Sequence, residues 1–460
     1  MSALDADESR DFEAMIARIR ARLGYLTTSK SLSARALHSG IWVVIGFGGQ
    51  RALQFGSNLI LTRLLFPEAF GIMSLATVFV VGLAMFSDIG LKPSIIRDPR
   101  SRDANFLNTA WTVQAARGFG LFVAGSVLAY PVSRMYGHAV LFPLLIVMSS
   151  TAAINGFQTI RLTTAERDLD FLKPTLIALS GQAITILSLI ILAWQWQSVW
   201  ALAAGNVIGS LGTVIVGHWV LRGHSHHFRF DRDVARSILS FGRWIFLSTI
   251  VTFAGGEGLR AVQARLLTLS DFGVLSIAYS ISVIATELPT KLTGTIGLPA
   301  LSEALKDGHE RLAFVLTALR KRMIYLTVPT VIIAAMVSEP LVTLLYDRRY
   351  HDAGHYAALL VLSNAVAVIF SGYSTAILAM GRGRDFLIAN TFLAASRLAC
   401  VFLGYQISGI TGMLVGILCA NLTNVIYFWI IPLTKSITSF LVDILSLLVI
   451  LIFTALFLAN

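Results

Sequence analysis

Charged residues are scarce in this chain. Asp, Glu, Lys and Arg make up 13% of its 460 residues, about half of the roughly 25% usual in soluble domains. With 56% of the chain hydrophobic, this scarcity excludes a soluble fold, which could not hide the remaining apolar surface. Cysteine is nearly absent. Cys400 and Cys419 both fall in apolar runs, which favours two small buried side chains over a disulfide or a thiolate metal site. Residues 1–35 lack an apolar h-region and carry Asp5, Asp7, Glu8, Asp11 and Glu13, so they do not read as a signal peptide. Long polar loops are missing as well. No connection exceeds about 20 residues, which leaves no extramembrane domain and no low-complexity linker. No Ser/His/Asp arrangement, metal-ligand cluster or phosphate-cradling Gly loop is visible, so hydrolytic and transfer chemistry lack a site.

Uncharged apolar runs of about 20 residues, enough to cross a bilayer, recur along the whole length. Pro174 to Trp194 and Ala353 to Met380 are clear cases. Thirteen spans are expected, near 36–62, 70–91, 106–130, 139–160, 174–194, 198–221, 237–264, 272–302, 323–346, 353–380, 385–405, 408–433 and 438–458. The eighth is too long for one crossing and is expected to emerge as helix. The net charge of +11 is read as topology rather than as a nucleic-acid surface. With the N-terminus cytoplasmic, Lys and Arg on the inner side outnumber those on the outer side about five to one, and the bias alternates at every loop. Phe12, Met15, Ile16, Ile19 and Leu23 follow helical spacing with Arg18, Arg20 and Arg22 interleaved. Residues 1–35 therefore read either as an amphipathic helix on the inner membrane surface or as a solvated tail.

The chain also repeats itself. TRLLFPEAFGIMSLA (Thr62 to Ala76) returns as ARLLTLSDFGVLSIA (Ala264 to Ala278) at an offset of 202 residues. Arg63, Leu64, Leu65, Phe70, Gly71, Ser74 and Ala76 all recur, and the register extends back to Gly40, Trp42 and Gly56, matched by Gly242, Trp244 and Gly258. In a membrane chain such a repeat implies two homologous halves with a substrate path between them, hence a transporter. The division expected is a cytoplasmic segment 1–35, a six-helix bundle 36–222, a linker 223–236, a second six-helix bundle 237–433 and a further helix within 434–460. The linker contains His224, His226 and His227, read as part of a polar connector. His351 and His355 flank Asp352 but lack the HExxH pattern.

Ionisable residues inside the membrane are costly and face a cavity or a partner. Six basic ones fall within spans: Arg51, Arg117, Arg243, Arg260, Lys291 and Arg397. The acidic ones are Asp88, Glu257 and Glu287. Arg51 lies near the middle of the first span between Gln50 and Gln54, too deep to reach either surface, and its repeat counterpart is Phe253. It either lines a cavity, with Gln50 and Gln54 as further cavity candidates, or is held by internal hydrogen bonds. Glu257 and Arg260, three apart, share a helix face. They form a self-neutralising pair, or Arg260 faces an anionic headgroup while Glu257 tunes it. Glu287 and Lys291 allow the same two readings. Arg117 and Arg397 are further cavity candidates. Arg243 snorkels, and Asp88, in SDIG, reads as a helix-end cap or an ion site. The excess of buried cations points to an anionic cargo, because Arg and Lys are the usual partners of phosphate.

LTRLLFPEAFGIMSLATVFVVGLAMFSDIGLKPSIIR (Leu61 to Arg97) closely resembles the first-half signature of bacterial polysaccharide flippases, Wzx-type proteins of the multidrug/oligosaccharidyl-lipid/polysaccharide exporter superfamily. LSDFGVLSIAYS, GLPALSEALKDGHERL, SEPLVTLLYDRRYHDAGHYAALLVLS and AMGRGRDF extend the resemblance over roughly Ser31 to Leu433. It implies an all-α integral membrane protein of about twelve to thirteen transmembrane helices, in two pseudo-symmetric six-helix bundles around a central cavity lined by spans 1, 2, 7 and 8. The implied cargo is an undecaprenyl-pyrophosphate-linked oligosaccharide moved between leaflets of the bacterial inner membrane by alternating access. The implied partners are membrane lipids and the polysaccharide polymerase and export machinery. The protein is expected to act as a monomer, with no cofactor and no nucleic acid. Cargo binding carries over to Arg51, Arg260 and Lys291, and ion coupling to Asp88 and Glu257. Members usually have twelve or fourteen spans. The thirteenth here is an accessory helix, or a fourteenth is missing. The rivals are a drug or cation antiporter of the same superfamily, which predicts cavity carboxylates, and a flippase for lipid-linked peptidoglycan precursor. An O-antigen polymerase or ligase needs a large outer loop that this sequence lacks.

Overall fold

The computed structural model describes residues 32–87, 91–98, 100, 103–168, 170–221, 227–292, 297–430 and 440–459. Residues 1–31, Asp88, His224 and His226 lie outside the described residues, as do the side chains of Arg243 and Lys291. The described residues are helical and contain no strand. In chain order the helices are α1 (Leu32–Leu64), α2 (Pro67–Phe86), α3 (Leu91–Arg97), α4 (Ala104–Tyr136), α5 (Leu141–Gly156), α6 (Arg161–Arg167), α7 (Leu172–Trp196) and α8 (Val199–Val220). The second half holds α9 (Arg232–Gly255), α10 (Glu257–Leu266), α11 (Leu269–Leu292), α12 (Leu298–Lys306), α13 (His309–Leu345), α14 (Asp352–Ala379), α15 (Gly383–Ile430) and α16 (Phe440–Ala459).

The sequence sets these boundaries by local chemistry. Pro67 opens α2 after an extended Phe66, where its missing N–H costs nothing. The side chains of Asp103, Ser198 and Asp231 accept from backbone N–H groups at the starts of α4, α8 and α9. In α15, Ser408 and Gly409 leave helical geometry, Gly409 at a φ of 59°. The two arms then fold back on each other, with Gly404 against Gly412 and Gly416 against Cys400. One helix by hydrogen bonding thus contains the eleventh and twelfth expected spans.

Among the described residues, eight helices are long and apolar enough to cross a membrane, or nine if α5 and α6, bent by 60°, form one span. The count covers the described residues only, and within them α15 holds two of the thirteen expected spans, while Arg51 and neighbouring glutamines lower the mean hydropathy of α1. The eighth expected span falls on α11 and α12, with residues 293–296 between them outside the described residues. Exposed Trp194, Trp196 and Trp219 sit at the ends of α7 and α8, where amphipathic rings suit the membrane interface.

Burying apolar surface from lipid yields little, so close packing and interhelical hydrogen bonds must hold membrane helices together. The repeat supplies both. Gly71 and Gly273, equivalent in the repeat, meet each other where α2 crosses α11. A Cβ on Gly71 would lie 2.0 Å from the Leu269 carbonyl oxygen, and one on Gly273 would lie 1.9 Å from that of Pro67. Leu269 is itself the repeat counterpart of Pro67. The contact is therefore a local pseudo-two-fold, with the same surface used twice. Phe70 and Phe272 are buried beside it. Nearby, the Tyr350 hydroxyl donates to the Leu65 carbonyl at 3.0 Å, and Arg63 donates to that of Leu345 at 3.3 Å. Arg349 bridges Asp347 and the carbonyls of Thr62 and Arg63. One end of the molecule is thus latched across the halves. Arg349 beside Asp347 holds that carboxyl below its usual range.

In the second half α14 is the innermost helix, with 78% of its apolar window buried. It packs on α11, α13, α15 and α16. Arg320, expected in a cytoplasmic loop before span nine, instead lies inside α13 and is 2% exposed. It pairs with Asp443 of α16 and donates to Tyr373 of α14. The Tyr373 hydroxyl donates to the other Asp443 oxygen at 2.8 Å.

Candidate functional site

A cavity of about 590 Å³ lies in the first half and reaches across to the second. Its wall is built from polar residues spaced three or four apart, hence on one face of each helix. α1 contributes Gln54, Ser57 and Asn58, α7 contributes Gln182 and Thr185, and α8 contributes Asn206, Ser210 and Thr213. α2 adds Ser74 and Thr77, while Arg260 of α10 and Ser276 and Ser280 of α11 close the far side. Among the described residues, Arg260 is the one ionisable residue in this lining and no carboxylate contributes to it. The volume falls within the roughly 300–1,000 Å³ range of ligand sites.

Arg260 is positioned by a helix break. Gly256 leaves helical geometry between α9 and α10, and Glu257 begins the new helix. Broken helices at membrane depth are tolerated where they border a cavity. Arg260 Nη1 lies 3.6 Å from Glu257, and Nη2 donates to Ser74 at 3.2 Å. Its guanidinium also stands 5.1 Å from the Tyr279 ring centroid. The pair expected on one face is present and loosely made. Arg260 Nε and Glu257 Oε2 are buried without a hydrogen-bond partner.

Arg51 is partnered across the halves. It pairs with Glu287 of α11 and donates to Gln54 at 2.6 Å. Both charged side chains keep about a quarter of their surface exposed, 28% and 23%. A small void beside Arg51 shares Gln54, Asn58 and Ser280 with the polar cavity. On its other side it shares Phe55, Ile281 and Ile284 with an apolar cleft of about 450 Å³ between α1, α11 and α13. The cleft is walled by Ile333, Val337 and Leu341 of α13. Arg51 thus stands between a polar chamber and an apolar one. Glu287 pairs with Arg51, and the side chain of Lys291, its expected partner, lies outside the described residues.

The other sequence candidates are placed elsewhere. Arg117 donates to the carbonyls of Ala84 and Ser87 and satisfies the end of α2. Arg397, partly buried, donates to Asn421 and to the Gly255 carbonyl beside the α9–α10 break. Neither lines the polar cavity, and Gln50 stands beside Arg51 outside that lining. His355 stacks on Phe457 at 5.1 Å. Asp88 and the Lys291 side chain lie outside the described residues. Apart from Gln54, the sequence reading missed the neutral wall of amides and hydroxyls. Their spacing in otherwise apolar helices was the available signal. It also missed the Arg320–Asp443 pair, although a carboxylate within the apolar run of α16 marks it.

Comparison with known proteins agrees with this architecture. Residues 60–355 match a family model described as "Polysaccharide biosynthesis protein". The succinoglycan biosynthesis transport protein ExoT of Rhizobium meliloti is 24% identical over 353 residues, covering 74% of this chain and 69% of the relative. The lipopolysaccharide biosynthesis protein WzxC of Escherichia coli is 20% identical, covering 86% of this chain and 80% of its own. Among solved structures, an inward-facing multidrug resistance MATE family transporter of the MOP superfamily aligns with a TM-score of 0.66 at 16% identity, covering 82% of this chain and 92% of that one. The lipid II flippase MurJ, in an inward closed conformation, aligns at 0.62 with 15% identity, covering 91% and 98%. The chain is a multi-pass membrane protein with the fold of these transporters, and it belongs to the polysaccharide biosynthesis protein family.

Proposed function

We propose that this protein flips a lipid-linked oligosaccharide from the inner to the outer leaflet of the bacterial cytoplasmic membrane, for surface polysaccharide synthesis. The observation that carries the reading is the position of Arg51, at the joint between a polar cavity and an apolar cleft. A lipid-linked oligosaccharide has the same three parts in the same order: hydrated sugars, an anionic diphosphate and a polyprenyl tail. The sugars occupy the polar cavity, the diphosphate engages Arg51 and Arg260, and the tail lies along the apolar cleft. A diphosphate stripped of water in hydrocarbon is very costly. Two arginines in a wet cavity offset most of that cost.

In the absence of cargo, Glu287 and Glu257 hold the two arginines. The diphosphate competes with these carboxylates, and their return releases it. Undecaprenyl pyrophosphate is the carrier that fits this chemistry. The chain works as two six-helix bundles joined through 223–236, with a cytoplasmic N-terminus and the Gly71–Gly273 end toward the outside. Alternating access then means parting that latch. The protein is a transporter and not an enzyme, acts as a monomer, and passes its cargo to the polysaccharide polymerase and export machinery. A cation antiporter is disfavoured, because among the described residues the cavity lining carries Arg260 and no carboxylate.

The test is complementation of a flippase-null strain, scoring surface polysaccharide and lipid-linked intermediate together. Wild type should restore polysaccharide, and Arg51→Ala should accumulate the intermediate on the inner leaflet. Correct membrane expression of wild type without rescue, in strains with several different repeat units, refutes the reading.

A further inference from the structure

Arg260 stands on a short helix whose place is set from outside. α10 has ten residues, and at that length packing rather than propensity fixes where a helix lies. Its ladder restarts after the break, with the Arg260 N–H donating to the Gly256 carbonyl at 3.2 Å. The first arm of α15 braces it at both ends. At the start of α10, Arg397 Nη1 donates to the Gly255 carbonyl at 3.2 Å. At its end, the Tyr405 hydroxyl donates to the Leu266 carbonyl at 2.8 Å. Arg397 and Tyr405 are eight residues apart with buried Val401 midway, so the three share one face of α15. Val401 lies in the same buried cluster as Leu259 and Ala264 of α10. From the first half, Ser74 meets the Arg260 guanidinium, and Tyr136 donates to the Ala261 carbonyl at 3.0 Å.

Arg397 is itself anchored. Its Nε and Nη2 donate to the Asn421 side-chain oxygen at 3.2 and 2.9 Å. The Asn421 amide, 2% exposed, donates on to the Ser363 carbonyl of α14 at 2.7 Å. The helix break is thus tied through Arg397 and Asn421 to the innermost helix of the second half. One planar guanidinium makes all three bonds, a geometry that the point charge of a lysine does not reproduce. Resting on the flippase reading above, which puts Arg260 at the diphosphate, we propose that Arg397 is a positioning residue. Together with Tyr405 it sets the place of α10 and so the aim of Arg260 into the polar cavity, while lying outside that lining itself.

The test is a binding cycle on the full-length protein in detergent, with farnesyl-diphosphate-linked glucose as the probe and calorimetry as the readout. Arg260→Gln should weaken binding about tenfold, and so should Arg397→Met, which removes hydrogen bonds made by a charged group. Tyr405→Phe removes one neutral bond and should cost about threefold. In the Arg260→Gln background, neither Arg397→Met nor Tyr405→Phe should weaken binding further. In an Arg51→Gln background their losses should multiply with that of Arg51, which Glu287 holds separately. A purely structural role predicts the same loss in both backgrounds. Arg397→Lys, which keeps the charge and loses the fork, carries the same cycle if Arg397→Met is not monodisperse. Losses that multiply in the Arg260→Gln background, or full affinity without Arg397, overturn the positioning role and leave the flippase reading intact. Wild-type affinity in Arg260→Gln removes Arg260 from the diphosphate and overturns the role as well. No binding by monodisperse wild type refutes the flippase reading and the positioning role with it.

Discussion

Exchanging the charges of Arg51 and Glu287 separates a packing role from a cargo role. The two side chains join α1 to α11, and each retains about a quarter of its surface exposed. Unit charges about 4 Å apart attract by roughly 4 kcal/mol at the effective dielectric suited to partly buried sites. Desolvation and access to cavity water reduce this, so a coupling of about 1.5–3 kcal/mol is the reasoned value. Arg51→Glu alone places two carboxylates together, and Glu287→Arg alone places two guanidinium groups together. Each single variant should lower Tm in detergent by several degrees. The double variant should recover most of that loss, because the ion pair re-forms with its ends reversed. Transport should not recover, because the cation now sits on α11, away from Gln54 and the wall of α1. The assays are a double-mutant cycle in thermal stability and complementation of the flippase-null strain. Recovery of both stability and transport would show that the pair only holds the halves together, and the assignment of Arg51 to the diphosphate would fall.

Other consequences follow from the packing. Gly71→Ala and Gly273→Ala each drive a methyl into a backbone carbonyl and should destabilise by about 1–3 kcal/mol. If the pseudo-two-fold contact is as drawn, the two losses will be alike in thermal scans, and a neutral result at either site contradicts it. Asp443→Ala leaves Arg320 buried and unpaired and should cost about 3–5 kcal/mol, whereas the double variant Arg320→Met with Asp443→Leu should lie much closer to wild type. Membrane yield and Tm check this, and a mild Asp443→Ala phenotype argues against the buried triad. The Asp347 carboxyl has its pKa lowered in the fold by Arg349. It therefore contributes stability above its ordinary value near 3.8, and that contribution is lost as pH falls through the depressed value. Wild type should exceed Asp347→Asn by about 1 kcal/mol or less at neutral pH, since the pair is partly exposed. The gap should close in strong acid, and a gap that persists there refutes the assignment.

Much of this architecture was legible in the residues, and the reasons differ by element. Helix class and membrane embedding followed from hydropathy alone. The repeat located the α2–α11 crossing because both copies of the contact use the same Pro or Leu, Phe and Gly positions. The Glu257–Arg260 pair was legible because three residues apart on a helix fixes a shared face. The partner of Arg51 was not, since Glu287 lies 236 residues away and sequence offers only its helical neighbour Lys291. Arg117 and Arg397 were read as cavity residues because a buried cation has few outlets in lipid. The structure satisfies them with backbone carbonyls at a helix end and a helix break, which no sequence marks directly. Arg320 was misplaced because it stands beside Lys321 and Arg322, and such a cluster reads as a solvated loop.

The repeat also bears on where the proposed cargo site lies. Positions kept between the halves, Phe70 with Phe272, Gly71 with Gly273 and Ser74 with Ser276, surround the crossing of α2 and α11. Ser74 and Ser276 also reach the cavity, but its other polar positions differ between the halves. Arg51 corresponds to Phe253, Gln54 to Gly256, Asn58 to Arg260 and Thr77 to Tyr279. A two-fold site would present the same chemistry from both sides, which suits a symmetric ligand. A lipid-linked oligosaccharide is polar at one end and apolar at the other, so symmetry has to be broken wherever it is held. The first half carries most of the amides and hydroxyls, and the second supplies Arg260, Glu287 and the apolar wall of α13. Phe253, where a second Arg51 would stand, packs instead on Gly82 and Phe86 of α2. The symmetric residues hold the halves in register, and on the proposed reading the asymmetric ones give the cargo a single direction in which to lie.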